Sequence, residues 1–94
     1  VKKQYEFIQL KNIDLTGWDG PRQCRKIREE LEEFEEATAD YIVFNTQKSK
    51  DHAIEEYFDV LQSALGLLAI VGISAEEVMN QYSKHLEKVK NRPR

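Results

Sequence analysis

The sequence predicts an all-α fold: three main helices per chain forming a four-helix-bundle-type core on oligomerisation, with an irregular N-terminal segment, in one domain over residues 1–94. Three observations predict it. A stripe recurs in alternating steps of four and three from Ile27 to Tyr41 with Phe44 three further, eleven of the fifteen residues from Tyr57 to Val71 are apolar, and Ser74 stands three residues before Glu77, the pattern of a reciprocal helix cap.

Residues 1–20 carry Tyr5, Phe7, Ile8, Leu10, Ile13 and Leu15 without a sustained period, so they read as extended or irregular chain packing over the bundle. In Gly17-Trp18-Asp19-Gly20-Pro21, the Asp-Gly pair supplies cap and turn chemistry and Pro21 suits the first position of a helix, which starts there. Ile27, Leu31, Phe34, Thr38, Tyr41 and Phe44 then form one stripe of an amphipathic helix, with Glu30, Glu33 and Ala37 beside it and Glu29, Glu32 and Glu36 farther round toward solvent.

The polar stretch Asn45 to His52 reads as a linker, and a second helix runs from about Lys50 to Val71, stopped by Gly72. Its apolar residues cover the whole circumference. A helix apolar all round is buried all round, and three short helices can hardly enclose it, so it is expected to pack against a second copy of itself. The third helix starts at Ser74, presents Val78, Tyr82, Leu86 and Val89 inward and ends near Asn91.

Composition narrows the classes. A chain of 94 residues with 40% hydrophobic and 33% charged residues is globular, yet builds a core with little margin unless it gains area from another chain. The formal charge is -3, but Glu29 to Glu36 holds six glutamates while Lys84, Lys88, Lys90, Arg92 and Arg94 gather near the C-terminus. An acidic centre with a basic tail suits an anionic ligand that arrives with a divalent cation. The acidic run repels a phosphate backbone and no groove-reading motif is present, which argues against a nucleic-acid polymer as partner. The lone Cys24 allows no intrachain disulfide, and a reduced, cytoplasmic setting is the default. The apolar run from Val60 to Val71, interrupted by Gln62, Ser63 and Gly66, is too short to span a membrane.

Two acidic pairs carry the chemistry. Glu30 with Glu33 and Glu56 with Asp59 are each three residues apart, one helical turn along one face. An acidic pair on a glutamate-rich helix is by itself an ordinary solvated face, and Lys26 supports Glu30 at i,i+4. The second pair, at the head of the most apolar segment, needs a partner for its charge. Two such pairs on neighbouring antiparallel helices let four carboxylates converge, which is tolerable only with cations present, and hard oxygen ligands select Mg²⁺, with Mn²⁺ as a substitute. His52 and His85 lack partners at ligand spacing, so zinc is disfavoured.

The motif Glu29-Glu30-Leu31-Glu32-Glu33 followed by Glu56-Tyr57-Phe58-Asp59, with its flanks KIREELEEFEEA and EEYFDVLQSALGL, resembles the EExxE…ExxD signature of the MazG-like all-α nucleoside triphosphate pyrophosphohydrolases, over about residues 22 to 92. The resemblance implies that Glu30, Glu33, Glu56 and Asp59 ligate Mg²⁺, that Glu29 is an additional acid, and that Lys26, Lys88, Asn91 and Arg92 contact the triphosphate. Where some relatives place a lysine four residues before the ExxD glutamate, this chain has His52.

The implied reaction is Mg²⁺-dependent cleavage of a nucleoside triphosphate between the α and β phosphates, giving a nucleoside monophosphate and pyrophosphate, with housecleaning of the nucleotide pool as its setting. Glu29 or Glu33 would accept the proton of the attacking water. Trp18 is a candidate to stack on the base, as are Tyr5, Phe7 and Tyr57, although aromatic residues of a small domain are more often core. Asn12, Gln23, Asn80 and Gln81 are candidates to read base edges. A homodimer is the minimum assembly and a homotetramer an extension of it. Two other readings stand beside this one: a noncatalytic helical dimer serving as an interaction module, and a phosphoribosyl-ATP pyrophosphatase-like enzyme. The dimeric dUTPases, related by motif, resemble the chain less.

Overall fold

Asp19 starts the first helix by accepting the Arg22 backbone N–H on its side chain at 2.7 Å, with Pro21 in the first turn where a missing N–H costs nothing. The computed structural model describes residues 9–13 and 17–92. Among them lie three helices and no strand: α1 (Gly20–Phe44), α2 (Gln47–Ile70) and α3 (Ala75–Lys90).

The linker between α1 and α2 is shorter than the sequence suggested. Asn45 takes a left-handed conformation (φ 50°) and donates its N–H to the Tyr41 carbonyl at 2.8 Å, ending α1. Thr46 then caps α2 in a reciprocal pair with Ser49. The polar residues Gln47 to His52, read as linker, are therefore the exposed first turns of α2. Ser74 and Glu77 form the expected capping box of α3, whose last residue is Lys90.

A two-residue connection makes α1 and α2 an antiparallel hairpin. Its ends are tied by Gln23, which donates its side-chain amide to the Ser63 carbonyl at 2.9 Å. The stripe of α1 that faces α2 differs from the expected one. Gln23, Glu30 and Ala37 are its buried residues, flanked by half-buried Ile27, Phe34 and Tyr41, whereas Leu31 and Phe44 are exposed. The buried line thus runs through Gln23, Ile27, Glu30, Phe34, Ala37 and Tyr41, rotated from the purely apolar one. On α2 the matching line runs through Ala53, Glu56, Val60, Ser63 and Leu67, again in steps of three and four. Both seams carry an acid at their centre.

The expected inward stripe of α3 is met only in part within one chain, where Val78 and Val89 are half-buried. The chain turns by 115° between α2 and α3, and α3 makes no packing onto the hairpin comparable to that between α1 and α2. Tyr82 is 62% and Leu86 38% exposed. The root of α3 is held by residues 9–13: Asn12 accepts the Ala75 backbone N–H at 3.0 Å, Leu10 donates its N–H to the Met79 sulfur, and Lys11 accepts an N–H from Gln62 on α2. Of these residues only Leu10 is half-buried, while Tyr5, Phe7, Ile8 and Leu15 lie outside the described residues.

The isolated chain is open. Its radius of gyration is 15.5 Å, against about 12 Å for a compact chain of this length. The expected all-round burial of α2 is not reached within one chain, because Tyr57, Phe58 and Val71 remain exposed. No single helix among the described residues is long and apolar enough to cross a membrane.

Candidate active site

Midway along the hairpin, Glu30 and Glu33 of α1 meet Glu56 of α2, with carboxylate oxygens within 4.8 Å of one another. Glu30 and Glu56 are 5% and 9% exposed because they occupy the centres of the two helix seams; Glu33, one turn on, is exposed. Glu30 Oε1 receives a 2.7 Å ion pair from Lys26, and Glu56 Oε1 faces His52 Nε2 at 3.7 Å. Glu30 Oε2 and Glu56 Oε2 are buried with no hydrogen-bond partner. Leaving a buried carboxylate oxygen unpaired costs on the order of 1–3 kcal/mol or more, so two such oxygens in one cluster form a site that a cation would suit.

The electrostatics agree. The charge of Glu30 is the main cause that raises the Glu33 carboxyl above its ordinary range, followed by desolvation and the charge of Glu56. Lys26 is raised too, chiefly by its bond to Glu30, with the charges of Glu30, Glu29 and Glu33 adding to it. One lysine therefore does not neutralise the cluster: the carboxylates still repel one another with Lys26 in place. An all-oxygen donor set of this kind suits a hard divalent cation.

Beside the carboxylates opens a cleft of about 380 Å³ between the start of α1 and the middle of α2. Its lining brings Glu30, Asp59 and Lys26 together with Ile13 and Trp18 and with Gln23, Gln62 and Ser63. Asp59 thus lines the cleft with Glu30 but stands outside the three-carboxylate cluster. Glu29 is exposed and outside the cluster as well. Lys88, Asn91 and Arg92 sit at the exposed end of α3, where Asn91 donates to the Glu87 carbonyl, and no hydrogen bond or ion pair joins any of the three to the carboxylates among the described residues.

Trp18 is half-buried in the cleft wall, with the Arg22 guanidinium 4.1 Å from its ring centre. Tyr57 instead lies between the rings of Phe34 and Phe58 and is exposed within one chain. Gln62 and Ser63 were not among the expected site residues. Their signal was present, since both are polar interruptions of the most apolar segment, and a polar residue there needs a reason.

The family model of phosphoribosyl-ATP pyrophosphohydrolase matches residues 9–85, a span that holds the carboxylate cluster, Asp59 and every residue lining the cleft, and that ends before Lys88. No curated protein and no solved structure matches the chain. The match takes in most of the sequence, and with it the chain belongs to the phosphoribosyl-ATP pyrophosphohydrolase family, within the MazG-like nucleotide pyrophosphohydrolase superfamily.

Proposed function

We propose that this protein is a Mg²⁺-dependent nucleotide pyrophosphohydrolase that adds water across the anhydride between the α and β phosphates of a nucleoside triphosphate, releasing a nucleoside monophosphate and pyrophosphate. The observation that carries the reading is the pair of buried, unpartnered oxygens, Glu30 Oε2 and Glu56 Oε2, beside Glu33. Glu30, Glu33 and Glu56 would hold the cation, with Asp59 in the adjoining cleft wall as the fourth carboxylate. Bound there, Mg²⁺, or Mn²⁺ in its place, would neutralise polyphosphate charge and make a water more acidic.

The chain's own groups divide the remaining work. Lys26 holds Glu30 in place through their 2.7 Å ion pair, and its other N–H groups are available to a phosphate oxygen. Glu33, at the exposed edge of the cluster, is assigned to accept the proton of the attacking water, with Glu29 as the second candidate. Lys88, Asn91 and Arg92 are assigned to the departing pyrophosphate. A homodimer or homotetramer would bring such residues from a second copy. The chain exposes 7841 Å², whereas a compact monomer of 11.0 kDa exposes about 5,600 Å², an excess of the size that homodimer interfaces cover. We place the protein in the cytoplasm on its single cysteine.

The family match favours phosphoribosyl-ATP as a second substrate reading. It needs no different machinery, since that molecule retains a triphosphate and the same anhydride is broken. The test is pyrophosphate release from phosphoribosyl-ATP and from a panel of nucleoside triphosphates, with Mg²⁺ and with chelator. Metal-dependent release of pyrophosphate and the matching monophosphate is expected. Release from none of them, with either Mg²⁺ or Mn²⁺, would return the chain to the noncatalytic helical dimer.

A further inference from the structure

We propose that this protein pairs with a second copy of itself through a reciprocal tip-to-elbow contact, in which the apolar tip of each α1–α2 hairpin enters the hollow at the α2–α3 elbow of the other. The pairing rests on the homodimer reading above and names the surfaces that meet. It uses none of the residues assigned to the reaction.

The two surfaces fit each other and cannot meet within one chain. Ile42, Val43 and Phe44 end α1 on consecutive residues, and all three are exposed. Consecutive residues of a helix point to different sides, so packing along one seam cannot cover the three together, whereas a cup around the helix end can. At the elbow, exposed Ile73 joins Glu77, Val78, Asn80 and Gln81 around a hollow of about 440 Å³ on the first turns of α3. Asn80 and Gln81, candidates to read a base, thus stand apart from the carboxylate cleft. The helix α2 begins at Gln47, just after the tip, and ends at Ile70, just before the elbow. Its 24 residues hold the two about 36 Å apart.

Two antiparallel copies satisfy both ends at once. Tip and elbow flank α2 symmetrically, so each tip reaches the other copy's elbow when the two-fold axis passes the middle of α2, near Phe58. The middle of α2 carries uncovered apolar residues of its own, since Ile54, Tyr57 and Phe58 are exposed there. A two-fold axis sets such a patch against its own image, and one operation then covers tip, elbow and middle. The charges agree. Lys48 and Lys50 stand exposed in the first turn of α2, beside the tip, with no ion pair among the described residues, and Glu76 and Glu77 stand in the first turn of α3, at the elbow. The exposed area, 7841 Å² against about 5,600 Å² for a compact chain of 11.0 kDa, leaves an excess of homodimer size. A second copy is the occupant because it alone brings both the matching tip and the matching hollow.

The test begins with the wild-type chain and a carbodiimide, which condenses a lysine amine directly with a carboxylate. A solution mass of twice 11.0 kDa and bonds from Lys48 or Lys50 to Glu76 are expected. With about 36 Å between these groups in one chain, such a bond joins two copies. A second arm uses cysteines in a Cys24→Ser background. Phe44→Cys combined with Ile73→Cys should give, on mild oxidation, a dimer closed by two bridges. Each single variant alone should give none, and an equal mixture of the two singles should give a dimer with one bridge. Self-bridging of Phe44→Cys, a ladder of higher species from the double variant, or a dimer that forms neither kind of cross-link would overturn the tip-to-elbow contact and leave a homodimer standing. A wild-type mass of 11.0 kDa without cross-links would overturn both. Pyrophosphate release plays no part in the readout, so the reaction stands or falls separately.

Discussion

The middle of the α1–α2 hairpin and the outer surface of the molecule are unsatisfied in opposite ways. In the middle, two carboxylate oxygens are buried without a partner, and the deficit is of positive charge. On the outside, Ile42 is 80%, Val43 74% and Phe44 65% exposed at the hairpin tip, Tyr82 and Leu86 stand open on α3, and the deficit is of apolar cover. The difference teaches that the seam was not arranged for the greatest stability of a lone chain. Glu30 and Glu56 are among the few buried side chains, while Leu31, Ile42 and Phe44 are left at the rim.

The strongest way to break this comparison is to remove charge from the middle. Glu56→Gln keeps the shape of the side chain and takes away one of the proposed ligands. Metal-dependent pyrophosphate release should fall by about 100-fold or more, as loss of a direct ligand does at least what loss of an outer partner does. In chelator the same variant should be as stable as the wild type or more stable by about 1 kcal/mol, because it relieves repulsion among buried carboxylates. Added Mg²⁺ should raise the melting temperature of the wild type, by an amount corresponding to about 2.7 kcal/mol at 100 times the dissociation constant, and leave Glu56→Gln unmoved. A variant that is unstable in chelator, together with a wild type that Mg²⁺ leaves unmoved, would mean that the middle is satisfied without a cation.

These opposite deficits also explain what could be read from the sequence. Helix existence and the caps at Asp19 and Ser74 were legible, since each rests on chemistry within a few residues. The Thr46–Ser49 cap was present in the sequence too, but two residues of linker were hidden by polar side chains that belong to exposed helix as readily as to a turn. The buried line of α1 was misplaced because hydrophobic periodicity follows Leu31 and Phe44, whereas the seam is centred on Gln23, Glu30 and Ala37. Where a site lies inside a helix interface, the polar residues mark the interior and the apolar ones the rim. The acidic cluster was legible because that inversion leaves carboxylates within apolar sequence. The cleft was only half legible: Trp18 stood out, but Ile13 and Gln62 come together with it through irregular chain that carries no period.

The outer region is sharpened by polar substitutions at the hairpin tip. Ile42→Ser with Phe44→Ser removes apolar groups that one chain does not bury, so the monomer should lose little, within about 0.5 kcal/mol. If these side chains are covered by a second copy, light scattering should show a shift to smaller species at micromolar concentration, with the carboxylate site still able to bind Mg²⁺. An unchanged mass would place the cover elsewhere, with Tyr82 and Leu86 of α3 the next pair to substitute.

The smallest effect is a slope of stability with pH, and its sign separates the two regions. Glu33 binds its proton more tightly in the folded protein than the ordinary value of 4.5, first because of Glu30, then because of desolvation and Glu56. In chelator the folded state therefore takes up a proton that the unfolded state does not, in the window between 4.5 and the raised folded value. Stability contributed by Glu33 is fully present below 4.5 and is lost as pH rises through the folded value, the reverse of a salt-bridged carboxylate. The Lys26–Glu30 pair does not confuse this window from the lysine side, since Lys26 is raised above 10.5 and stays charged throughout it. Urea midpoints measured downward from neutral pH should show the wild type gaining on Glu33→Gln as the acid range is entered, and Mg²⁺ should abolish the difference at neutral pH by supplying the missing charge. Parallel curves for the two proteins would show that the repulsion among Glu30, Glu33 and Glu56 is relieved without proton or metal, and that only the apolar surface is incomplete.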